Sequence, residues 1–256
     1  MDLKDYAASI GYYDERSTSS RTALLVGYSG SGKTTLAGTF PSPFVLDADK
    51  GGASLSLLHI PYLELHRGDK THEICMKVLD DIGKKRGPFE KLEVKTLVLD
   101  SLTALGDFLL VEAMMYPWRN TKLIPTSPEK LRPDQNHYGM VLIRYKNIIK
   151  MAQDLGLNIV ATSGVRTETD SNGNITRMIP SLTGSYREIV AHDFDELYYL
   201  RVQVLGKIRK FYVHTQPFGS FDLARSKSKK PIIEAVIEDP TYEKIFKIDS
   251  EGVKGK

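Results

Sequence analysis

The sequence predicts an α/β fold, with a mainly parallel sheet flanked by helices and antiparallel strands at one edge in the C-terminal third. Three observations carry that expectation. Apolar, partly β-branched runs at 22–26, 44–46, 96–99 and 158–161 are continuous rather than alternating, as in strands buried on both faces. Stretches of helical spacing separate these runs, which is the rhythm of a parallel sheet. After residue 195 the rhythm changes, and 196–202 and 210–214 flank Gly206 with no helix between them, the pattern of an antiparallel pair.

The 256 residues are 41% hydrophobic and 26% charged, an ordinary globular composition that supports one large domain. We expect an arm or linker over 1–21, the domain over 22–240 and a charged tail over 241–256. A formal charge of +3 is too mild to demand a polyanionic partner, so only local clusters argue for one. Cys75 is the single cysteine, which excludes an internal disulfide and fits a buried thiol on a helix. No apolar run approaches the ~20 residues of a membrane span, and the first residues lack a secretory pattern. These features lead us to expect a cytoplasmic protein without a membrane partner.

Taken in order, the arm ends in Ser17-Thr18-Ser19-Ser20-Arg21. The strand at 22–26 leads into Gly27-Tyr28-Ser29-Gly30-Ser31-Gly32-Lys33-Thr34, and a helix opens with Thr34-Thr35 and ends before Pro41 and Pro43. The strand at 44–46 delivers Asp47-Ala48-Asp49. A short helix at 55–58 and an edge strand at 60–65 follow, the latter because Pro61 is tolerated at an edge. Residues 71–86 have helical spacing, with Thr71 as N-cap candidate. The strand at 96–99 ends in Asp100, and a helix spans 105–115. The segment 116–136 contains four prolines and no periodicity, so it is expected to be a long loop. A helix at 138–155 and a strand at 156–163 come next. A second polar loop at 164–186 holds Asn172-Gly173-Asn174, a hairpin-turn signal. Beyond the antiparallel pair lie the basic run 225–230 and a last strand at 231–237.

The glycine loop fits G-x-x-x-x-G-K-S/T, the phosphate-binding P-loop, in its proper setting of strand, loop and helix. Its glycines let backbone N–H groups converge where side chains would block a phosphate. Lys33 reaches toward β- and γ-phosphates, and the Thr34 hydroxyl is a Mg²⁺ ligand of the required type. Asp100, at a strand end, has the position of the acid that completes such a metal site, although a strand-end acid also caps Ser101 or the following helix. Asp49 is a candidate general base for an attacking water, and Asp47 competes for that role. Thr162 and Ser163 are placed to sense a γ-phosphate or to cap their strand.

The strand Val45-Leu46-Asp47-Ala48-Asp49 is similar to the one carrying the catalytic glutamate of RecA-like recombinases, and 96–105 resembles their second acid strand. The chain looks most like the compact phage RecA-like ATPases of single-strand annealing and recombination. Tyr138-Gly139 and the segment from Leu182-Thr183-Gly184 to Phe194-Asp195 add to the likeness, which covers about residues 20 to 235. The resemblance implies that residues 27–35 bind ATP, that Asp100 serves the Mg²⁺ site, and that Asp49 replaces the catalytic glutamate. It places Ser163 near the sensor position and makes Lys227 and Lys229 basic residues that reach a neighbour's nucleotide. It also implies a homo-oligomer, ring or filament, and places 116–136 and 164–184 where DNA-binding loops stand.

Two departures bear on turnover. Aspartate is one methylene shorter than glutamate, and Thr162-Ser163-Gly164 stands where the family often has glutamine or histidine, so hydrolysis is expected to be slow. The first loop holds Trp118, Arg119 and Lys122, and the second Arg166 and Arg177. Rings interleaved with cations suit single-stranded DNA, although Glu129, Asp134, Glu168 and Asp170 dilute the charge. The basic run 225–230 also fits a DNA contact or a solvated turn. The expected activity is slow Mg-dependent ATP hydrolysis with single-stranded DNA binding and a single-strand-binding or recombination partner. An ATP-dependent assembly switch without a DNA role is the alternative.

Overall fold

The computed structural model describes residues 20–51, 59–115, 132–227 and 233–251. Its strands are β1 (Thr22–Gly27), β2 (Pro43–Asp47), β3 (Tyr62–Glu64), β4 (Thr96–Asp100), β5 (Asn158–Ser163), β6 (Val165–Thr169), β7 (Ile175–Pro180), β8 (Glu196–Leu205), β9 (Ile208–His214), β10 (Arg225–Ser226) and β11 (Val236–Glu238). The helices are α1 (Lys33–Ala37), α2 (Thr71–Gly83), α3 (Leu102–Met115), α4 (Gln135–Asp154), α5 (Tyr186–Ile189) and α6 (Tyr242–Glu251).

The main sheet runs β11-β9-β8-β1-β5-β4-β2-β3, with β10 paired to β8. From β8 to β3 every neighbouring pair is parallel, and β9, β10 and β11 are antiparallel additions. This is the mainly parallel α/β sheet with antiparallel strands at one edge that the sequence predicts. β5 lies between the P-loop strand β1 and the Asp100 strand β4, while β2 flanks β4 on its other side with Asp47 opposite Asp100.

The sheet is buried on both faces, which explains its continuous apolar strands. Leu24, Val26, Leu97 and Leu99 face a core built with α2, α3 and α4. Ala23, Leu25, Val98 and Val160 face a second core with α1 and α6. The residues expected to form a tail contribute to that second core. Ile245 and Phe246 are buried, and Tyr242 and Phe246 pack on Phe40 at ring-centroid distances of 4.9 and 6.1 Å.

Other elements refine the sequence expectations. Helix α4 begins at Gln135, where Asp134 caps it, so the long loop ends earlier than residue 136. The second polar loop is largely the hairpin β6–β7. It is closed by Asp170, whose Oδ1 accepts the amides of Asn172 and Asn174. Thr71 lies inside α2 rather than capping it. The short helix expected at 55–58 and most of the N-terminal arm lie outside the described residues.

Candidate functional site

β1 carries Gly27 to the carboxyl end of the parallel strands, where ligands bind in open α/β sheets. The chain then turns through exposed Tyr28, Ser29 and Gly30 into α1, whose Thr35 is also exposed. Gly30 and Gly32 have φ of 74° and 89°, the left-handed region open mainly to glycine. Gly27 is required by space, because a Cβ there would lie 2.5 Å from both the Leu200 carbonyl and the Ser31 hydroxyl.

The Lys33 ammonium folds back over the loop and donates to the carbonyls of Gly27 and Tyr28 at 2.9 Å each. Burial pulls its pKa below the usual lysine range, and the nearby charges of Asp100 and Asp49 oppose that shift. The Ser31 hydroxyl is buried without a hydrogen-bond partner among the described residues. An orphaned polar atom in a glycine cradle is what a phosphate oxygen would satisfy.

Asp100 is buried at the end of β4, and its Oδ2 accepts from the Thr34 hydroxyl at 2.7 Å. Its Oδ1 accepts from the Thr162 hydroxyl at the end of β5. Burial pushes the Asp100 carboxyl above the usual carboxylate range. The two hydroxyls oppose that rise, and the negative charges of Asp47 and Asp49 add to it. Gly51 closes the other side. A Cβ on it would sit 3.5 Å from Asp100 Oδ2 and 3.8 Å from Thr34 Oγ1, in the space a cation needs. Among the described residues no group of three or more His, Cys, Asp or Glu side chains forms a protein-only metal site. One hydroxyl and one carboxylate suit Mg²⁺, which keeps waters and takes phosphate oxygens as its remaining ligands.

The two acids left in competition occupy different environments. Asp47 is buried, and its Oδ1 accepts the amides of Asp49 and Gly51 at 3.1 and 3.4 Å, so it braces the turn. Asp49 is exposed and lies within electrostatic reach of Lys33 and Asp100. The amides of Ala48 and Asp49 donate to the Asp100 carbonyl at 2.7 and 3.2 Å, tying this turn to the acid strand. Ser163 is fully buried, and its hydroxyl donates to the Gly164 carbonyl at 3.0 Å.

Other expected residues lie away from this cluster. Lys227 bonds to Asp195 at 2.8 Å. It follows Ser226, which pairs with Glu196, and Glu196 in turn stands opposite Ala23 near the amino end of β1. The P-loop starts opposite Leu200, about 13 Å further along the strand. Arg166 and Arg177 lie on the β6–β7 hairpin, where Arg177 is 3.8 Å from Glu188 and 3.7 Å from Asp222. Trp118, Arg119, Lys122 and Lys229 lie outside the described residues. Sequence reading passed over two contributors, Gly51 and the Phe211 ring packed against Gly32, and only the Gly51-Gly52 pair left a local signal.

A family model described as an AAA domain matches residues 19–222. The chain belongs to this AAA domain family. The match takes in the whole P-loop, Asp49, Asp100 and Thr162, whereas Lys227 and Lys229 lie beyond it. Solved structures that it resembles include a KaiC-like protein from Pyrococcus horikoshii OT3, with 13% identity, coverage of 76% of this chain and 77% of that one, and a TM-score of 0.43. The flagellar accessory protein FlaH from Methanocaldococcus jannaschii is also similar, at 12% identity, coverage of 85% and 84%, and a TM-score of 0.41. Comparison with curated proteins finds no match. Among the described residues of the AAA-domain chain, no helix is long and apolar enough to cross a membrane.

Proposed function

We propose that this protein is a slow Mg-dependent ATPase that assembles into a ring or filament and binds single-stranded DNA in recombination or annealing. The observation that carries the ATPase reading is the 2.7 Å contact of Thr34 with Asp100 beside Lys33, with an exposed carboxylate, Asp49, at the mouth of the same cluster. Thr34 Oγ1 and Asp100 Oδ2 would hold Mg²⁺, which when bound would supply positive charge to the phosphate oxygens. Lys33 exchanges its loop carbonyls for those oxygens, and the loop amides and Ser31 hold the phosphates in place. Asp49 takes the proton from the water that attacks the γ-phosphorus, releasing ADP and phosphate. Asp47 holds the turn that aims Asp49. Lys227 and Lys229 serve a neighbour's nucleotide in this reading.

The exposure of Asp49 and its short side chain favour a second reading, an assembly switch that binds ATP with little turnover. Phosphate release by wild type, Asp49→Asn and Lys33→Ala, each with single-stranded, duplex and no DNA, separates the two. The expected result is lost ATP binding in Lys33→Ala. In Asp49→Asn binding is retained, with turnover lowered about 100-fold. Single-stranded DNA is expected to stimulate the wild type. Unchanged turnover in Asp49→Asn removes the base assignment, and ATP binding without hydrolysis in any arm establishes the switch.

A further inference from the structure

The β8–β9 hairpin extends past the P-loop at the carboxyl end of the sheet and carries a cluster that the ATP site does not use. Strand pairing sets Tyr199 and Arg201 of β8 opposite His214 and Tyr212 of β9 on one face. Phe218, from the turn that follows, stacks on His214 with ring centroids 3.8 Å apart and remains 39% exposed. The Arg201 guanidinium lies 4.9 Å from the Tyr212 ring centre and 5.3 Å from that of Phe218. Its Nε donates to His214 Nε2 at 2.9 Å, so the guanidinium is fixed between two rings. Burial, helped by the Arg201 charge, holds His214 down at about 4, which leaves an uncharged imidazole under Phe218 at neutral pH.

The hairpin's own charges are of one sign, while the neighbouring strand β11 sets Glu238 opposite Tyr212. Residues 197–214 contain Arg201, Lys207, Arg209 and Lys210 and no Asp or Glu. Lys210 is paired with Glu238 at 2.7 Å. Val204, Leu205 and Ile208 at the tip are 62%, 49% and 62% exposed. The surface continues onto the β6–β7 hairpin, because the Met178 amide donates to the Ser220 carbonyl at 2.8 Å and the Ser220 hydroxyl to the Ile175 carbonyl at 3.2 Å.

We propose that the Arg201–Tyr212–Phe218 face is a base-stacking site for single-stranded DNA, with Lys207 and Arg209 at the hairpin tip following the phosphates. The proposal rests on the DNA-binding reading above and names the residues that would carry it. The exposed Phe218 ring, held beside a fixed guanidinium and the half-buried Tyr212 ring, gives unpaired bases a surface to stack on, and the exposed tip cations Lys207 and Arg209 track a backbone. A duplex keeps its bases stacked on one another and offers this face only its phosphates. The site also adjoins the nucleotide site, since Tyr199 and Leu200 pair with Val26 and Gly27 at the root of the P-loop.

The test is fluorescence anisotropy of labelled oligothymidylate, oligouridylate and duplex DNA with the full chain, at several salt concentrations and with a non-hydrolysable ATP analogue and Mg²⁺. Phe218→Ala is expected to weaken oligothymidylate binding about tenfold. The double variant Lys207→Glu/Arg209→Glu is expected to weaken it about 100-fold and to flatten the salt dependence. Affinity for the ATP analogue and the thermal midpoint stay at wild-type values in both. Wild-type DNA affinity in both variants overturns the stacking site and leaves the DNA reading standing. A wild type that binds the analogue but no single strand at low salt overturns both, and tighter binding of oligouridylate overturns the assignment to DNA. If Phe218→Ala unfolds, the tip variant decides alone, because both of its residues are exposed.

Discussion

Single side chains at the sheet edge acquire their properties from burial. His214 is 2% exposed, accepts a hydrogen bond from Arg201 and lies beneath Phe218. Its pKa falls from 6.5 to about 4, so the folded protein binds fewer protons there than the unfolded chain. Stability from this group is therefore fully present above pH 6.5, declines as pH falls from 6.5 toward 4, and is flat below that. By pH 5 the loss is about 2 kcal/mol. Urea unfolding of wild type and His214→Gln at pH 7.5 and 5 checks this. The wild type is expected to lose about 2 kcal/mol more than the variant over that interval. Equal losses would show that His214 is not the titrating group.

At the scale of elements, a charged network joins the three helices on one side of the sheet. Glu112 of α3 is 5% exposed and accepts the His72 amide at the start of α2 at 2.8 Å. It lies 3.5 Å from Arg144 of α4, which also donates to the Leu109 carbonyl at 3.1 Å. Burial raises the Glu112 carboxyl above its usual range, while the His72 amide and Arg144 charge oppose it. Removing Arg144 alone leaves a buried, unpaired carboxylate, so Arg144→Ala is expected to cost about 3 kcal/mol. The double variant Glu112→Met/Arg144→Met is expected to cost less than the sum of the two single Met variants, and additive unfolding energies would contradict the coupling. The network also explains why Thr71 is not the N-cap expected from sequence. The first turn of α2 is satisfied by a carboxylate 40 residues away, and local spacing holds no sign of it.

For the whole molecule, sheet order decides what each basic residue can reach. Lys227 lies near the amino end of β1 and β8, and its own P-loop lies at the other end. Any action on a nucleotide is therefore on another copy. Mixing Lys33→Ala with Lys227→Ala is expected to recover about a quarter of wild-type phosphate release relative to the pure variants, from interfaces that pair an intact P-loop with an intact lysine. No recovery in mixtures that still co-assemble would remove the lysine from catalysis. Helix α6 belongs to this scale too. Its Tyr242 and Phe246 cover Phe40 just beyond α1, and the Arg21 guanidinium lies 4.2 Å from the Phe246 ring centre.

The sequence by itself determined the P-loop, the buried strands that end at Asp47, Asp100 and Ser163, and the antiparallel pair around Gly206. Each is written in a contiguous stretch, in which glycine conformation, unbroken apolarity or a turn residue carries the information. Only the tertiary structure decided which acid braces and which faces the opening. It also decided that Thr162, 62 residues from Asp100, shares its carboxylate with Thr34, and that Lys227 lies far from its own loop. These depend on β5 lying between β1 and β4 and on β10 pairing with the root of β8. Strand order is set by packing and hydrogen bonding between segments far apart in sequence. Hydropathy along one strand reports burial on its two faces and carries no record of the strand beside it.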